Sequence, residues 1–420
     1  MKTFLILILF AYIFKELFEY AVTYINLRHM RRFGSVVPPE FEGSTDEGLL
    51  KKMQDYESEK TRLGVIASIF GSLVIIIFIF GGLLDIYNSW LSSFNLSFAL
   101  SGWLFFMILS YAEEIMSIPF SLYSTFKIEN RYGFNAVTPG LWISDFIKSL
   151  LLSTIMISLL IFAALWLIQW SPDLWWFLVW SFLFSYSIFI MYISPYVIEP
   201  LFNKFTPVED ELLKERIARL TEKVGIHISR IMKIDASRRS RHTNAYFTGI
   251  GKTKRIVLYD TLLEDMNHDE IIAVLAHEIG HWKKKHLLKT LAAFEIFSLI
   301  GLYLSFRLVE GDLLSTLFYI SIDTIFAKLL ILPFLAGIVS FPFMPLINKF
   351  IRRNEREADR VSYELTDDTE GMVSALIKLS KGNLSNLYPH PLFVDIYYSH
   401  PPVLERIRHI RGFSKRDACG

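Results

Sequence analysis

The sequence predicts a mainly α-helical, polytopic membrane protein that also carries a small α+β domain. Three observations support this expectation. Of the 420 residues, 52% are hydrophobic and 15% aromatic, and the mean hydropathy is +0.37, which is too apolar for an ordinary soluble domain of this size. Seven apolar runs are long enough to cross a hydrocarbon core, which takes about 20 residues of helix. The charged residues, 43 basic and 42 acidic for a formal net charge of +1, gather mostly between those runs. This near balance, with no continuous basic stripe, argues against nucleic acid as a partner.

The seven runs lie near 3–25, 64–87, 98–122, 149–169, 174–196, 287–308 and 322–346. The first, MKTFLILILFAYIF, begins like a secretory signal. It has no small-residue cleavage site and continues into KELFEYAVTYINLRHMRR, so it reads as a retained membrane helix. The fifth ends at SPYVIEP, where Pro195 and Pro200 should kink or stop it. Loop charges set an orientation, because Lys and Arg collect on the cytoplasmic side. Arg28, Arg31 and Arg32 follow the first run and Lys127 and Arg131 the third, whereas DIYNSWLSSFNL and WSPD carry neither residue type. The N-terminus is expected outside, and the C-terminus and the small domain in the cytoplasm.

The chain is expected to divide into residues 1–199, with five membrane helices, and 200–420, interrupted by a two-helix hairpin at about 287–346. In the second part KRIVLYDTLL, near 254–263, has the composition of a short strand, and HDEIIAVLAHEIGHWKKKHLL has helical spacing after a polar start. The single cysteine, Cys419, allows no disulfide within the chain. With only Gly420 after it, it does not form a prenylation box, which needs three following residues.

The stretch AHEIGHWKKKH (276–286) carries the chemistry. His277 and His281 are four apart, which on a helix puts both rings on one face, able to share one ion. Zinc takes imidazole nitrogen readily, and a catalytic site supplies three protein ligands and leaves a position for water. Glu278 is placed to act on that water as general base. A chance HExxH arises in on the order of one chain per hundred at average composition, so the context has to add weight. It does so through the helical spacing and the position where the chain re-enters the membrane. Lys283, Lys284 and Lys285 read as interfacial anchors. A third ligand is expected from a second helix, and RRNEREADRVSYEL offers Glu355, with Asp359 one turn later on the same face. Asp359 would accept a hydrogen bond from a ligating imidazole and fix its tautomer. Glu357 faces elsewhere on that helix.

On these motifs the chain resembles the type I CAAX prenyl proteases, integral-membrane zinc metalloproteases. The resemblance extends to SLYSTFKIENRYGFN (121–135), EPLFNKFTP (199–207), RHTNAYFTG (241–249) and YYSHPPVLERI (397–407). It implies that His277, His281 and Glu355 bind one Zn²⁺ and that Glu278 activates water. It further implies that Asn244, Ala245 and Tyr246 pair with an extended substrate backbone, and that His400 assists at the scissile carbonyl with Arg406 supporting it. It implies seven transmembrane helices enclosing an intramembrane chamber capped by the protease domain. Glu113 and Glu114, inside the third run, fit such a wet interior, as do Lys15, Glu16 and Glu19 in or beside the first. The substrates implied are prenylated or membrane-associated proteins, in the endoplasmic reticulum membrane of a eukaryote or the cell membrane of a bacterium.

Two other readings stay open at this stage. A broad membrane quality-control metalloprotease would share the zinc motif. A non-enzymatic transporter or scaffold with a structural metal would need a fourth protein ligand, for which His268 and His286 lack the i+4 spacing, and would have no use for Glu278.

Overall fold

The computed structural model describes residues 2–248 and 253–417, so Cys419 and Gly249 of the RHTNAYFTG run lie outside the described residues. The first five apolar runs become α1 (Lys2–Phe33), α2 (Glu47–Ile75), α3 (Phe98–Tyr123), α4 (Pro139–Trp170) and α5 (Trp175–Ile193). Polar caps start two of them: Asp46 accepts from Leu49 N at 2.7 Å, and Thr138 accepts from Leu141 N at 3.2 Å ahead of Pro139 in the first turn. Four strands follow, β1 (Phe205–Pro207), β2 (His227–Ile234), β3 (Ala245–Thr248) and β4 (Thr253–Tyr259). The remaining long helices are α6 (His268–Lys283), α7 (His286–Glu310), α8 (Ile325–Ser340) and α9 (Met344–Thr366).

Three boundaries differ from the sequence expectation. The second run starts far earlier, at Glu47, and ends in a π turn over Ile76–Phe80. Gly81 and Gly82, the latter at φ +82°, then break it, and Leu83–Ser92 forms a separate helix. The seventh run is cut at Phe341–Phe343, a 3-10 turn holding Pro342, after which α9 begins. KRIVLYDTLL is a strand only to Tyr259. Asp260 accepts from Thr261 N at 2.9 Å and Ser237 N at 3.0 Å, and Asp260–Asp265 turns into a short helix. At SPYVIEP the fifth run passes through a π turn, Ser194–Ile198, and stops at Phe202.

Among the described residues six helical stretches are long and apolar enough to cross a membrane, and these contain α2 to α5, α7 and α8. α1, 32 residues or about 48 Å long, falls short of that measure because of the charges midway along it. Those charges are partnered: Lys15 pairs with Glu16 at 3.0 Å and Glu19 at 3.2 Å, and Glu16 also accepts from Ser72 of α2 at 2.8 Å.

Together with α1 these helices close a ring. α1 meets α2 through Tyr20 and Ser68, and α2 meets α3 through Phe70 and Phe120. Trp103 donates to Ser158 across α3 and α4 at 2.8 Å. α4 packs on α5, α5 on α7 and α7 on α8, and Tyr12 against Phe334 returns the ring to α1. One end is plugged by an apolar cluster that includes Leu84, Leu91, Phe105, Trp175, Phe318 and Phe326. Below the plug the helices are barely buried, only 6% of the most apolar stretch of α2, α5 or α7. A solid bundle would bury one face of every helix, so the ring surrounds a chamber. Glu113 and Glu114 are exposed within α3 and have no salt-bridge partner among the described residues, as expected of charges that face water at membrane depth.

The small α+β domain caps the other end. Its sheet has the order β1-β2-β4-β3, with β2 and β4 parallel and the outer pairs antiparallel, which leaves β3 as an edge. Strand alternation gives two apolar faces. Ala245, Ile256 and Leu258 pack on Ile271, Leu275 and Ile279 of α6, while Ile234, Val257 and Tyr246 form the opposite face. A further core joins Phe41, Tyr56, Tyr132 and Phe134 from the basic loops to Met372, Leu376 and Ile407. All the basic loops named above therefore lie on the protease side.

Candidate active site

α6 is placed by its start and by one close crossing. Asn267 and Glu270 form a reciprocal capping box, and Glu270 also holds Ser374 and Lys378, at 2.6 and 2.8 Å. Further along, Gly280 lies against the backbone of Ala358, and Ser362 donates to Ala273 O at 2.9 Å. This crossing of α6 and α9 sets two imidazoles against a carboxylate.

His277 Nε2 lies 3.4 Å from Glu355 Oε2, His281 Nε2 lies 3.3 Å from Glu355 Oε1, and the two Nε2 atoms are 3.2 Å apart. One ligand atom from each residue falls within 4.8 Å of the others, a grouping that can hold a metal ion. Its donor set is chemically right, with two imidazole nitrogens and one carboxylate. Glu355 Oε2 is buried without a hydrogen-bond partner, a cost that a bound cation would remove. The residues present therefore fit a metal.

The outer nitrogens of both histidines are also engaged. His277 Nδ1 donates to Asp359 Oδ1 at 2.8 Å, and Arg406 donates to both oxygens of that carboxylate, at 2.5 and 3.0 Å. Burial works to lower the His277 pKa, but the Asp359 and Glu355 carboxylates outweigh it and raise it to about 9. Arg406 thus sits behind His277, through Asp359, and no hydrogen bond joins it to His400. On the other side His281 Nδ1 meets His286 Nδ1 at 3.2 Å, and His286 Nε2 meets Glu357 at 3.3 Å. Glu357 is no candidate ligand, as its helix position predicts, yet it anchors His286, which sequence reasoning set aside. The break at Lys285, with φ +56°, turns His286 back onto His281, and only that tertiary turn reveals it.

The remaining candidates surround this centre. Glu278 is half-buried beside His277, and burial first, then the Glu355 charge, push its pKa up against the pull of the two histidines. His400 is exposed, with Nε2 3.5 Å from Glu355 Oε1 and Nδ1 3.0 Å from Ser399 Oγ. Ala245 and Tyr246 pair with Leu258 and Val257 on one side of β3, and Asn244 O accepts from Tyr259 N at 3.1 Å. Among the described residues no strand pairs with the other side of β3, and β3 packs beside α6. The Tyr246 hydroxyl donates to Glu199 at 2.8 Å, tying the strand to the end of the fifth membrane run. His242 fastens the same segment, with its ring 4.1 Å from Phe134 and its nitrogens on Asn383 and Glu129. Two of the sequence motifs, 121–135 and 241–249, thus meet in space.

A carboxylate that orients a ligating imidazole is worth about 10–100-fold in metal affinity. Asp359→Asn is therefore expected to weaken metal retention by about that factor, read by competition with a chelator. Unchanged retention would show that Asp359 serves packing alone.

Comparison with known proteins agrees with this geometry. The sequence profile of the CAAX prenyl protease N-terminal region, with five membrane helices, matches residues 26–204, and that of peptidase family M48 matches residues 207–414. CAAX prenyl protease 1 homolog of Arabidopsis thaliana is 38% identical over 311 residues, covering 72% of each chain. CAAX prenyl protease 1 of Saccharomyces cerevisiae is 33% identical over 420 residues, covering 92% of this chain and 91% of its own. The crystal structure of S. mikatae Ste24p superposes with a TM-score of 0.90 at 29% identity, over 97% of this chain and 98% of that one. With a His–His–Glu cluster able to hold a metal ion at the mouth of a helical ring, the chain belongs to the CAAX prenyl protease 1 group of peptidase family M48 and is a membrane metalloendopeptidase.

Proposed function

We propose that this chain is a zinc endopeptidase that hydrolyses peptide bonds near the C-terminus of prenylated, CAAX-type proteins. The observation that supports this most is the convergence of His277, His281 and Glu355 beside the unpaired edge of β3, at the mouth of the membrane ring. His277, His281 and Glu355 hold the metal, and Asp359 with Arg406 orients His277. Bound there, zinc supplies a Lewis acid that polarises a carbonyl and lowers the pKa of water towards neutrality. Glu278 takes a proton from the attacking water at its carboxylate and passes it to the leaving amine. His400 donates to the oxygen of the scissile carbonyl as charge develops on it. Asn244, Ala245 and Tyr246 add the substrate backbone as a further strand, which recognises main chain and leaves side-chain choice loose.

The chain divides near residue 199 into five membrane helices and a protease domain interrupted by the α7–α8 hairpin. The basic loops share a side with that domain, which supports a cytoplasmic domain and an N-terminus outside. The membrane is that of the endoplasmic reticulum in a eukaryote or the cell membrane in a bacterium. The chamber accommodates a lipid-modified tail.

The test uses detergent-purified protein and two otherwise identical C-terminal peptides, one farnesylated, with cleavage followed by mass spectrometry. The farnesylated peptide is expected to be cut in preference, with activity lost to a chelator and restored by zinc. Equal cutting of both peptides would remove the prenyl requirement and favour a broad quality-control protease.

A further inference from the structure

A cavity of about 580 Å³ lies between the membrane-facing side of the sheet and the protease-side ends of α4 and α5. Six cations line it: Lys148, Lys204, Arg230, Arg238, Arg239 and Arg255. Its lining contains no carboxylate. Arg230 and Arg255 are register partners on β2 and β4, so the parallel pairing itself brings two guanidinium groups to one face.

Only Arg239 has an anionic partner among the described residues. It binds Asp145 at 2.8 and 3.0 Å. Lys148 donates to Leu201 O at 3.0 Å, and Arg255 to Pro195 O at 3.2 Å while stacking 4.3 Å over Phe205. The Arg255 Nε is buried without a hydrogen-bond partner. By contrast Arg216, Arg356, Arg408 and Arg411 on the helices of the protease domain all have carboxylates. Like charges gathered in a cavity repel, and a buried N–H left without an acceptor is costly, so the site lacks an anion.

Its location says which anion. Tyr196 and Leu201, also in the lining, are 58% and 45% exposed, and Ile143, Ile147 and Leu151 continue an exposed apolar face along α4. Cations beside an apolar flank at the end of membrane helices match a charged headgroup with its acyl chains. We propose that this cavity binds the phosphate-bearing headgroup of an anionic membrane lipid. The inference is independent of the protease reading, because none of these residues belongs to the centre on α6 and α9.

The test incubates the full chain, in neutral detergent, with equimolar phosphatidylinositol and phosphatidylcholine and follows retained lipid by native mass spectrometry. Phosphatidylinositol is expected to be retained in preference. Arg230→Gln with Arg238→Gln should weaken that retention by about tenfold or more, and Lys204→Gln should weaken it separately. All three side chains are exposed, and thermal melts check that the variants fold. A parallel arm adds inorganic phosphate alone. If phosphate raises the melting temperature of the wild type but not of the double variant, and no lipid is retained, the phosphate chemistry stands and its source is the free ion. Equal retention of phosphatidylcholine, or wild-type retention by both variants, would overturn the proposal.

Discussion

Exchanging Glu278 for Gln is expected to lower kcat by about 10²–10⁴-fold while metal content stays at the wild-type level. Gln keeps the size and the hydrogen-bonding capacity of the side chain and removes only its ability to take a proton. Glu278 is not among the three residues that converge on the metal position, so the two readouts separate. Elemental analysis of the purified variant and peptide cleavage under saturating substrate check both. Activity near the wild-type value would remove Glu278 from the proton path. Loss of metal together with activity would instead assign Glu278 to holding the ion.

Gly280→Ala should both destabilise the fold and loosen the metal. A Cβ at Gly280 would lie 2.9 Å from Ala358 Cα and 2.9 Å from Ala358 O, with Val361 Cβ at 3.2 Å. Two of these are backbone atoms of α9 and cannot rotate away. Ala in a helix gains about 1 kcal/mol over Gly, but overpacking a close crossing costs about 1–3 kcal/mol, so the clash prevails. The relief available is for α6 and α9 to separate, which carries Glu355 away from His277 and His281. Gly301→Ala, in α7, is the control, because nothing lies within 4 Å of the added carbon. Gly280→Ala is expected to melt lower than the wild type and to retain less metal, while Gly301→Ala melts no lower than the wild type and keeps its metal. A metal-replete, stable Gly280→Ala would show that the two helices have slack the crossing distance does not reveal.

Local patterns announced the candidate site and distant contacts completed it. The i, i+4 spacing of His277 and His281, and the same spacing of Glu355 and Asp359, follow from helix geometry alone and are readable in any sequence. The break at Gly81–Gly82 was missed because an apolar run carries on through it, and only the left-handed φ of Gly82 marks the turn. The path from His281 through His286 to Glu357 was missed for a related reason. It depends on a reversal at Lys285 and on a contact 71 residues away, which no periodicity encodes. Arg406 was expected to support His400, but its hydrogen bonds go to Asp359 on α9.

By itself the sequence determined the membrane class, the helical character and a His–His–carboxylate pattern able to hold a metal. These depend on composition and on spacings within one or two helical turns. The tertiary structure decided how α6 and α9 cross at Gly280 and which edge of the sheet is free. It also decided that the membrane helices close into a ring, and that cations distant in the chain share one cavity. Those features arise from packing between segments far apart in the chain, where shape and backbone approach select the partners and residue type alone does not.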